Sequence, residues 1–459
     1  MIVDPNTDIA QYTRAAGAEL VKIAHVTETH IHADFVSGAS ALAAATGATL
    51  HLSTEGGKDW GYTDAALANA QALKDGSEIA FGDVRLRALH TPGHTPEHVT
   101  FLATDLERGD DAVGALTGDF VFVGEIGRPD LLERAAGASG DMEKSAQALL
   151  KSIRKFVAQS DHLQIWPGHG AGSACGRSLG SMPQSTLGYE KLFNWALSQM
   201  SEAEFVRRVL EDQPVPPRYF ASMKRINRNG GASSIQLQQP VELTFADLER
   251  ALRDRSTIVD TRPAAKFADG HIVGTINIPR NKSFLNWFGA LVPDDGAYLI
   301  TDLESDEGLK QLASDLAKIG FAPRGYFGHQ MVHEWKTRNG DLERVPQLDV
   351  EQLRNSIDGQ NVQIIDVRGP DEWRHGHLPG AIHIPLAALP ARIGELNGSA
   401  PIVLQCRGGG RSSIATSFLQ AHGFANVSNL VGGFTGWVGS GFEVEHNASP
   451  SSEPAPQKS

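Results

Sequence analysis

The residue types best suited to chemistry gather in Thr29-His30-Ile31-His32-Ala33-Asp34-Phe35, two histidines and an aspartate at alternate positions directly after an apolar stretch. That spacing lets imidazoles and a carboxylate converge on one metal ion. His94 follows in the turn Thr91-Pro92-Gly93-His94, which its Pro and Gly make rigid. Asp119 stands inside the apolar run Gly114 to Phe122. A carboxylate there must be paired, hydrogen-bonded or bound to a cation, because an unpaired buried charge costs on the order of several kcal/mol. His169 ends a further apolar stretch in Trp166-Pro167-Gly168-His169-Gly170 and suits either a ligand or a donor to one. A different chemistry sits far downstream, where Pro401 to Gln405 delivers Cys406-Arg407-Gly408-Gly409-Gly410-Arg411-Ser412 to the start of a helix. Glycines let successive N–H groups turn inward as an anion cradle, the helix N-terminus adds positive potential, and two arginines favour thiolate over thiol.

Elements of an α/β chain must position these groups. Leu20 to Val26 reads as a buried parallel strand and Ala39 to Ala45 as a helix, which puts the histidine loop at the carboxyl end of a strand. A helix is predicted from the Asn6-Thr7-Asp8 caps to Ala18, and strands over Thr49 to Ser53 and Glu78 to Leu89, the latter broken at Phe81-Gly82-Asp83. Ser201-Glu202-Ala203-Glu204 is a capping box for a helix that Pro214-Val215-Pro216-Pro217 stops. Lys224, Arg225 and Arg228 form a basic patch on this extension, read as a solvated face or as a contact for the anionic groups of a carrier thiol.

The remainder repeats itself. Ile258-Val259-Asp260-Thr261-Arg262, Gly270-His271 and Ile278-Pro279 recur as Ile364-Ile365-Asp366-Val367-Arg368, Gly376-His377 and Ile384-Pro385, each 106 positions on, since 366 − 260 and 377 − 271 agree. In the first copy Tyr298-Leu299-Ile300-Thr301 leads to Asp302-Leu303-Glu304, so acids are expected where the second has its cysteine and arginines.

At 459 residues the chain is long enough for about three domains. A hydrophobic fraction of 41% with 21% charged residues is ordinary for globular protein, and no apolar run approaches a membrane span. A formal charge of −13 without a basic stripe disfavours nucleic acid. Two cysteines exclude a disulfide framework and suit a reducing compartment. With no basic n-region at Met1-Ile2-Val3-Asp4-Pro5, the expected location is the cytoplasm, without membrane attachment. Cys175 is expected to be a small packed residue.

The four pieces around His30, His94, Asp119 and His169, in that order across the first ~170 residues, resemble the metallo-β-lactamase superfamily. The resemblance implies an αββα sandwich with its metal site at one edge of two sheets. Where its two-metal hydrolases carry His-x-His-x-Asp-His, this chain has Phe35, which cannot ligate, so the second metal position is expected to be crippled. Two histidines and one carboxylate leave open positions and suit non-haem Fe(II). Within the superfamily the chain looks like the persulfide dioxygenase branch, which implies one Fe(II) per chain held by His30, His94 and Asp119. His32, Asp34 and His169 would then surround the ligands, and Arg128, in Gly124 to Asp130, would bind an anionic substrate group. Relatives usually begin with strands ahead of the Asp4-Pro5 position, so the first sheet is expected to lack one or two.

The repeats resemble rhodanese (sulfurtransferase) domains, the first inactive and the second carrying a persulfide on Cys406, with Arg407, Gly408, Gly409, Gly410 and Arg411 around the substrate. A tyrosine phosphatase would need five residues between cysteine and arginine, whereas Cys406 and Arg411 have four between them. The expected organisation is a metallo-β-lactamase-like domain over 1–175, a helical extension over 176–239, an inactive rhodanese over 240–342, an active one over 346–445 and a disordered tail over 446–459. The whole chain resembles dioxygenase–rhodanese fusion enzymes, which implies oxidation of a thiol persulfide such as glutathione persulfide by O2 to sulfite, with Cys406 moving sulfane sulfur to or from sulfite or thiosulfate. Its partners would be small molecules, with room for a homo-oligomer. Two alternatives stand: a zinc-dependent thioester hydrolase of the glyoxalase II type, and a non-catalytic sulfane-sulfur carrier or sensing module.

Overall fold

In the computed structural model, four short strands near the N-terminus pair in parallel in the order of the sequence: β1 (Ile2–Val3), β2 (His25–Thr27), β3 (Thr49–Ser53) and β4 (Ala70–Leu73). The structure describes residues 1–136, 142–170, 175–176, 182–211, 213–231, 240–357 and 362–446. The proposed disordered tail beyond His446 lies outside them. A second sheet holds β5 (Glu78–Phe81), β6 (Val84–His90), β7 (Val99–Asp105), β8 (Ala112–Gly118), β9 (Gln164–Pro167) and β10 (Ser185–Thr186), in the order β10-β9-β8-β7-β6-β5. All its pairs are antiparallel except β8 with β9.

The period-two alternation of the long strands gives this second sheet two buried faces. Ile79, Leu86, Ala88, Val99 and Phe101 pack with Leu73 and, less buried, Val3 from the first sheet. Leu102, Ala115 and Ile165 face the helix Met142–Phe156 through Leu149, Leu150, Ile153 and Phe156. The helix Ala39–Thr46 covers the first sheet through Ala39, Leu42 and Ala43 against Val26 and Leu50. The layers are therefore helix, sheet, sheet, helix. At ~25 cal/mol per Å², each such buried aliphatic side chain contributes roughly 1.5–3 kcal/mol.

Two readings from the sequence are corrected here. Leu20 and Val21 are exposed, because the helix Ile9–Ala18 ends in a left-handed Leu20 (φ 55°), and the strand begins only at His25. β8 ends at Gly118, so Asp119 stands just past a strand, not inside one.

The chain divides into two compact units, Met1–Gln239 with Ser305–Ala322, and Pro240–Glu304 with Pro323–Ser459. The second contains two parallel sheets. One has the order β12-β11-β13-β14, from β11 (Ile258–Asp260), β12 (Ile276–Asn277), β13 (Tyr298–Thr301) and β14 (Gly325–Gly328). The other has the order β15-β19-β18-β16-β17, from β15 (Gln347–Leu348), β16 (Gln363–Asp366), β17 (Ile382–His383), β18 (Ile402–Gln405) and β19 (Val427–Leu430). The first four strands match the last copy element for element, as the sequence repeat requires. Among the described residues no helix is long and apolar enough to cross a membrane.

Candidate metal centre and cysteine cradle

Three loops at the carboxyl ends of strands bring His30, His94 and Asp119 together, each about 1% exposed. Asp119 Oδ2 lies 3.5 Å from His94 Nε2 and 3.9 Å from His30 Nε2. The other ring nitrogens of His30, His94 and His98 have fixed tasks. His94 Nδ1 faces the Arg128 carbonyl at 3.0 Å, so it carries the proton and leaves the Nε2 lone pair toward Asp119. His30 Nδ1 bonds Thr29 Oγ1 at 2.9 Å. His98 Nε2 accepts the Asp119 N–H at 3.2 Å, which makes its Nδ1 the donor to Thr91 Oγ1 at 2.8 Å. Gly118 has to be glycine: its φ is 49°, and a Cβ would come within 2.5 Å of Thr29 Oγ1.

Protonation states follow from this burial. Desolvation drives His30 and His94 well below the ordinary histidine value, aided by neighbouring imidazoles at His30 and by Lys224 at His94. Both are thus neutral, the form that binds metal. Burial pushes Asp119 up to about 6, and Asp34 beside it adds to the rise. His30 Nε2 and both Asp119 carboxylate oxygens are buried without a hydrogen-bond partner. Groups of this polarity are rarely left so, and a divalent cation satisfies His30 Nε2 together with the Asp119 oxygen that faces it. The residues present therefore fit a metal ion.

A second group lies beside the first. Asp34, His169 and Cys175 place ligand-type atoms within 4.8 Å of one another. His169 Nε2 is 3.2 Å from Asp34 Oδ2 and 3.5 Å from Asp119 Oδ1, so Asp119 turns one oxygen to each group. Burial would lower the His169 imidazole, but Asp119 and Asp34 outweigh it and hold the ring well above its usual value. Burial pushes the Cys175 thiol up to about 12. The expectation for Cys175 is thus only half right: it is buried, but against potential metal ligands. Phe35 ligates nothing, yet the second position is less depleted than its replacement of a histidine suggests.

His32 does not join either group. Its Nε2 lies 3.0 Å from Asp4 Oδ1, and against the effect of burial Asp4 raises it to about 9. Asp4 also accepts the Thr29 N–H at 2.6 Å, so this ion pair anchors the loop that carries His30. Asn227, in the helix Tyr219–Arg228, clamps the other side: Nδ2 donates to the His32 and Phe35 carbonyls and Oδ1 accepts the Ser37 N–H. Neither Asp4 nor Asn227 was singled out as a site residue, since only tertiary approach reveals them.

Two expectations about cations are corrected. Arg128 is fully buried, with Nε and Nη2 donating to Asp130 at 2.8 and 2.7 Å, so these donors are committed to an internal ion pair and not held free for a substrate anion. The basic patch of the extension splits up. Arg228 donates to the Gly61 and Lys58 carbonyls, Arg225 is exposed, and Lys224 turns inward, where burial lowers it and Glu97 and Asp119 partly compensate.

In the second unit β18 leads to Cys406, 2% exposed, ahead of the helix Gly410–Ala421. The Gly409 N–H donates to Cys406 Sγ at 3.1 Å and Ser412 Oγ lies 3.4 Å from it. Gly409 adopts φ 99°, the conformation that folds the loop back over the sulfur. Arg411 makes a two-pronged pair with Glu372 at 2.6 and 2.7 Å, which fixes the guanidinium near Cys406. Arg407 is exposed, and its carbonyl accepts the Thr435 N–H. In the first copy the position of Cys406 belongs to Thr301. The Thr261 N–H bonds the Ile300 carbonyl just as the Val367 N–H bonds that of Gln405, so the residue after each is equivalent. This corrects the expectation of an acid there: the acids begin one residue later.

Comparison with known proteins agrees with this division. The model of the metallo-beta-lactamase superfamily matches residues 1–169, and that of the rhodanese-like domain matches 244–332 and 349–440. A crystal structure of a metallo-beta-lactamase from Staphylococcus aureus is 37% identical, with a TM-score of 0.63 over 71% of this chain and 90% of that one. A Bacillus subtilis protein named as a sulfur carrier, YrkF, is 34% identical over 96 residues, 21% of this chain, and the chain spans about half (52%) of its length. PksB of the same organism, named as a zinc-dependent hydrolase of polyketide biosynthesis, is 25% identical over 191 residues, 41% of this chain and 76% of that protein. With the sandwich, the buried ligand group and the repeated parallel sheets all in place, the chain belongs to the metallo-beta-lactamase superfamily and continues into two rhodanese-like domains.

Proposed function

We propose that the chain is a persulfide dioxygenase and sulfurtransferase: it oxidises the outer sulfur of a thiol persulfide, such as glutathione persulfide, to sulfite with O2 and water, releases the thiol, and moves sulfane sulfur through Cys406. The observation that carries this reading is the buried His30, His94 and Asp119 group, whose His30 Nε2 and carboxylate atoms lack a hydrogen-bond partner, in one chain with a cysteine held in a glycine cradle. Fe(II) held by these three residues would supply open positions for O2 and for the terminal sulfur of the persulfide. The chain does the rest. Thr29, the Arg128 carbonyl and the Asp119 N–H fix the three imidazoles His30, His94 and His98 in orientation. Lys224 offers a positive charge to the anionic persulfide, and His169 keeps a proton at Nε2 to return to the departing thiolate. At Cys406 the thiolate attacks the outer sulfur of a persulfide, the donor S–S bond breaks, and the donor leaves as thiolate. The resulting persulfide on Cys406 passes its sulfur to sulfite, giving thiosulfate.

The second group supports a rival reading. Asp34, His169 and Cys175 beside Asp119 suit a second metal, and with it a zinc-dependent thioester hydrolase. Sulfite release from glutathione persulfide, followed with and without O2 in wild type and His94→Ala, separates the two. Sulfite that requires both O2 and His94 supports the dioxygenase; thioester cleavage independent of O2, without sulfite, supports the hydrolase.

A further inference from the structure

The first rhodanese-like repeat has lost its nucleophile but keeps a cavity of about 680 Å³ with an unusual lining for so acidic a chain. Lys266, Lys336, Arg344, His329 and His333 face it, against the carboxylates of Asp269 and Asp341. Lys266 also reaches Asp302 at 3.6 Å, whereas Lys336 and Arg344 form no ion pair among the described residues. Arg262 borders the cavity too, but its guanidinium is committed to Asp260 and the Gly270 carbonyl. Lys266 is also the residue 106 positions before Glu372, so the inert copy carries a cation where the active copy uses an acid to hold Arg411.

Asp269 and Arg344 line a second cavity as well, of about 800 Å³ and mostly apolar. One wall is the helix Ala264–Asp269 of the inert repeat; the other is the catalytic loop of the active one, Gly408, Gly409 and Gly410, with Val431 behind it. The Gly409 N–H on that wall is the group that holds Cys406 Sγ. A cationic hollow and an apolar cleft thus share Asp269 and Arg344 in their walls, and the far wall of the cleft is the sulfur-binding loop. Each cavity is of a size that takes a small-molecule ligand.

We propose that the inert repeat is the docking site for an anionic carrier thiol: its carboxylates or phosphates are held by Lys336, Arg344 and Lys266, and its thiol arm lies along the apolar cleft to the Gly408–Gly410 loop, where Cys406 takes the outer sulfur. This rests on the sulfur-transfer reading above. The step needs no oxidant: the Cys406 thiolate forms a bond to the outer sulfur, the donor S–S bond breaks, and the carrier leaves as its thiolate. A long anionic thiol gains from both cavities, whereas a short uncharged one gains only from the loop.

The test uses the full chain under anaerobic conditions with saturating sulfite, reading thiosulfate formed from glutathione persulfide, coenzyme A persulfide and 2-mercaptoethanol persulfide. In Lys336→Glu/Arg344→Glu, KM for at least one of the two anionic donors should rise about tenfold with kcat held, while that for the uncharged donor stays within about twofold. A rise with glutathione persulfide alone assigns carboxylates, and one with coenzyme A persulfide alone assigns phosphates. Lys336→Gln/Arg344→Gln should show the same pattern more weakly, which separates lost binding from a folding defect. Equal KM values in wild type and both variants, or an equal rise for all three donors, would overturn the docking site. Persistence of transfer in Cys406→Ser would instead overturn the sulfur-transfer reading on which it rests.

Discussion

The two rhodanese-like repeats carry the same buried ion pair and opposite catalytic loops. In both, an arginine two residues after a strand aspartate grips it through Nε and Nη2 and donates to a glycine carbonyl eight residues further: Arg262 with Asp260 and Gly270, Arg368 with Asp366 and Gly376. Both aspartates are fully buried. Since the copy without the cysteine keeps this pair intact, it belongs to the fold and not to the chemistry. What differs is one hydroxyl for a thiol at Thr301 and Cys406, the acids Asp302 and Asp306 for the two arginines, Leu303, Glu304 and Ser305 for the three glycines, and Lys266 for Glu372. Sequence identity at the strand ends therefore says where a loop will sit, and only the loop residues say whether it can hold a thiolate.

The comparison breaks most visibly at the nucleophile. Cys406→Ser should lower sulfur transfer about a thousandfold or more, measured as thiosulfate formed from a persulfide and sulfite. The converse change sharpens it: Thr301→Cys in that background should restore nothing, because Asp302 and Glu304 follow the new thiol and no glycine N–H cradle stabilises its thiolate. Recovery of transfer there would show that the cradle is dispensable.

A smaller effect is common to both copies. Asp260→Asn and Asp366→Asn each leave a buried arginine without its carboxylate and should cost about 3–5 kcal/mol in urea unfolding of the unit that holds them. If only one copy responded, the pair would not be the shared structural element it looks like.

The weakest effect concerns positioning. Glu372→Gln frees Arg411, and because the pair is partly exposed its loss should slow transfer only about fivefold, close to 1 kcal/mol. Burial raises Glu372, but hydrogen bonds and charge from Arg411 outweigh it and leave its pKa below the ordinary 4.5. A carboxyl depressed in the folded state stabilises fully above its unfolded value and loses that contribution as pH falls through the folded one. The acid limb of stability below pH 4.5 should therefore be shallower in Glu372→Gln than in wild type, whereas above it the two run parallel with the variant less stable.

How much of this could be read from the sequence depended on how local the signal was. The cysteine loop is contiguous, so strand, nucleophile, glycines and helix were all legible. His30, His94 and Asp119 come from three separate segments, but each stands in a turn at a strand end, and together they could be grouped. Cys175 and Asn227 could not, because distant segments bring them to the centre and nothing near them in the chain marks it. Arg128 misled for a different reason: the family resemblance of Gly124 to Asp130 implies a substrate contact, whereas Asp130 draws the side chain inside. The acids after Thr301 misled by one residue, since only the pairing of Ile300 with Asp260 fixes the register.

The central claim is tested most directly by O2 uptake on adding glutathione persulfide to anaerobically reconstituted protein, with iron and zinc quantified in the same sample. The account predicts iron close to one per chain and O2 consumed in step with sulfite; zinc in its place and no O2 uptake would contradict it.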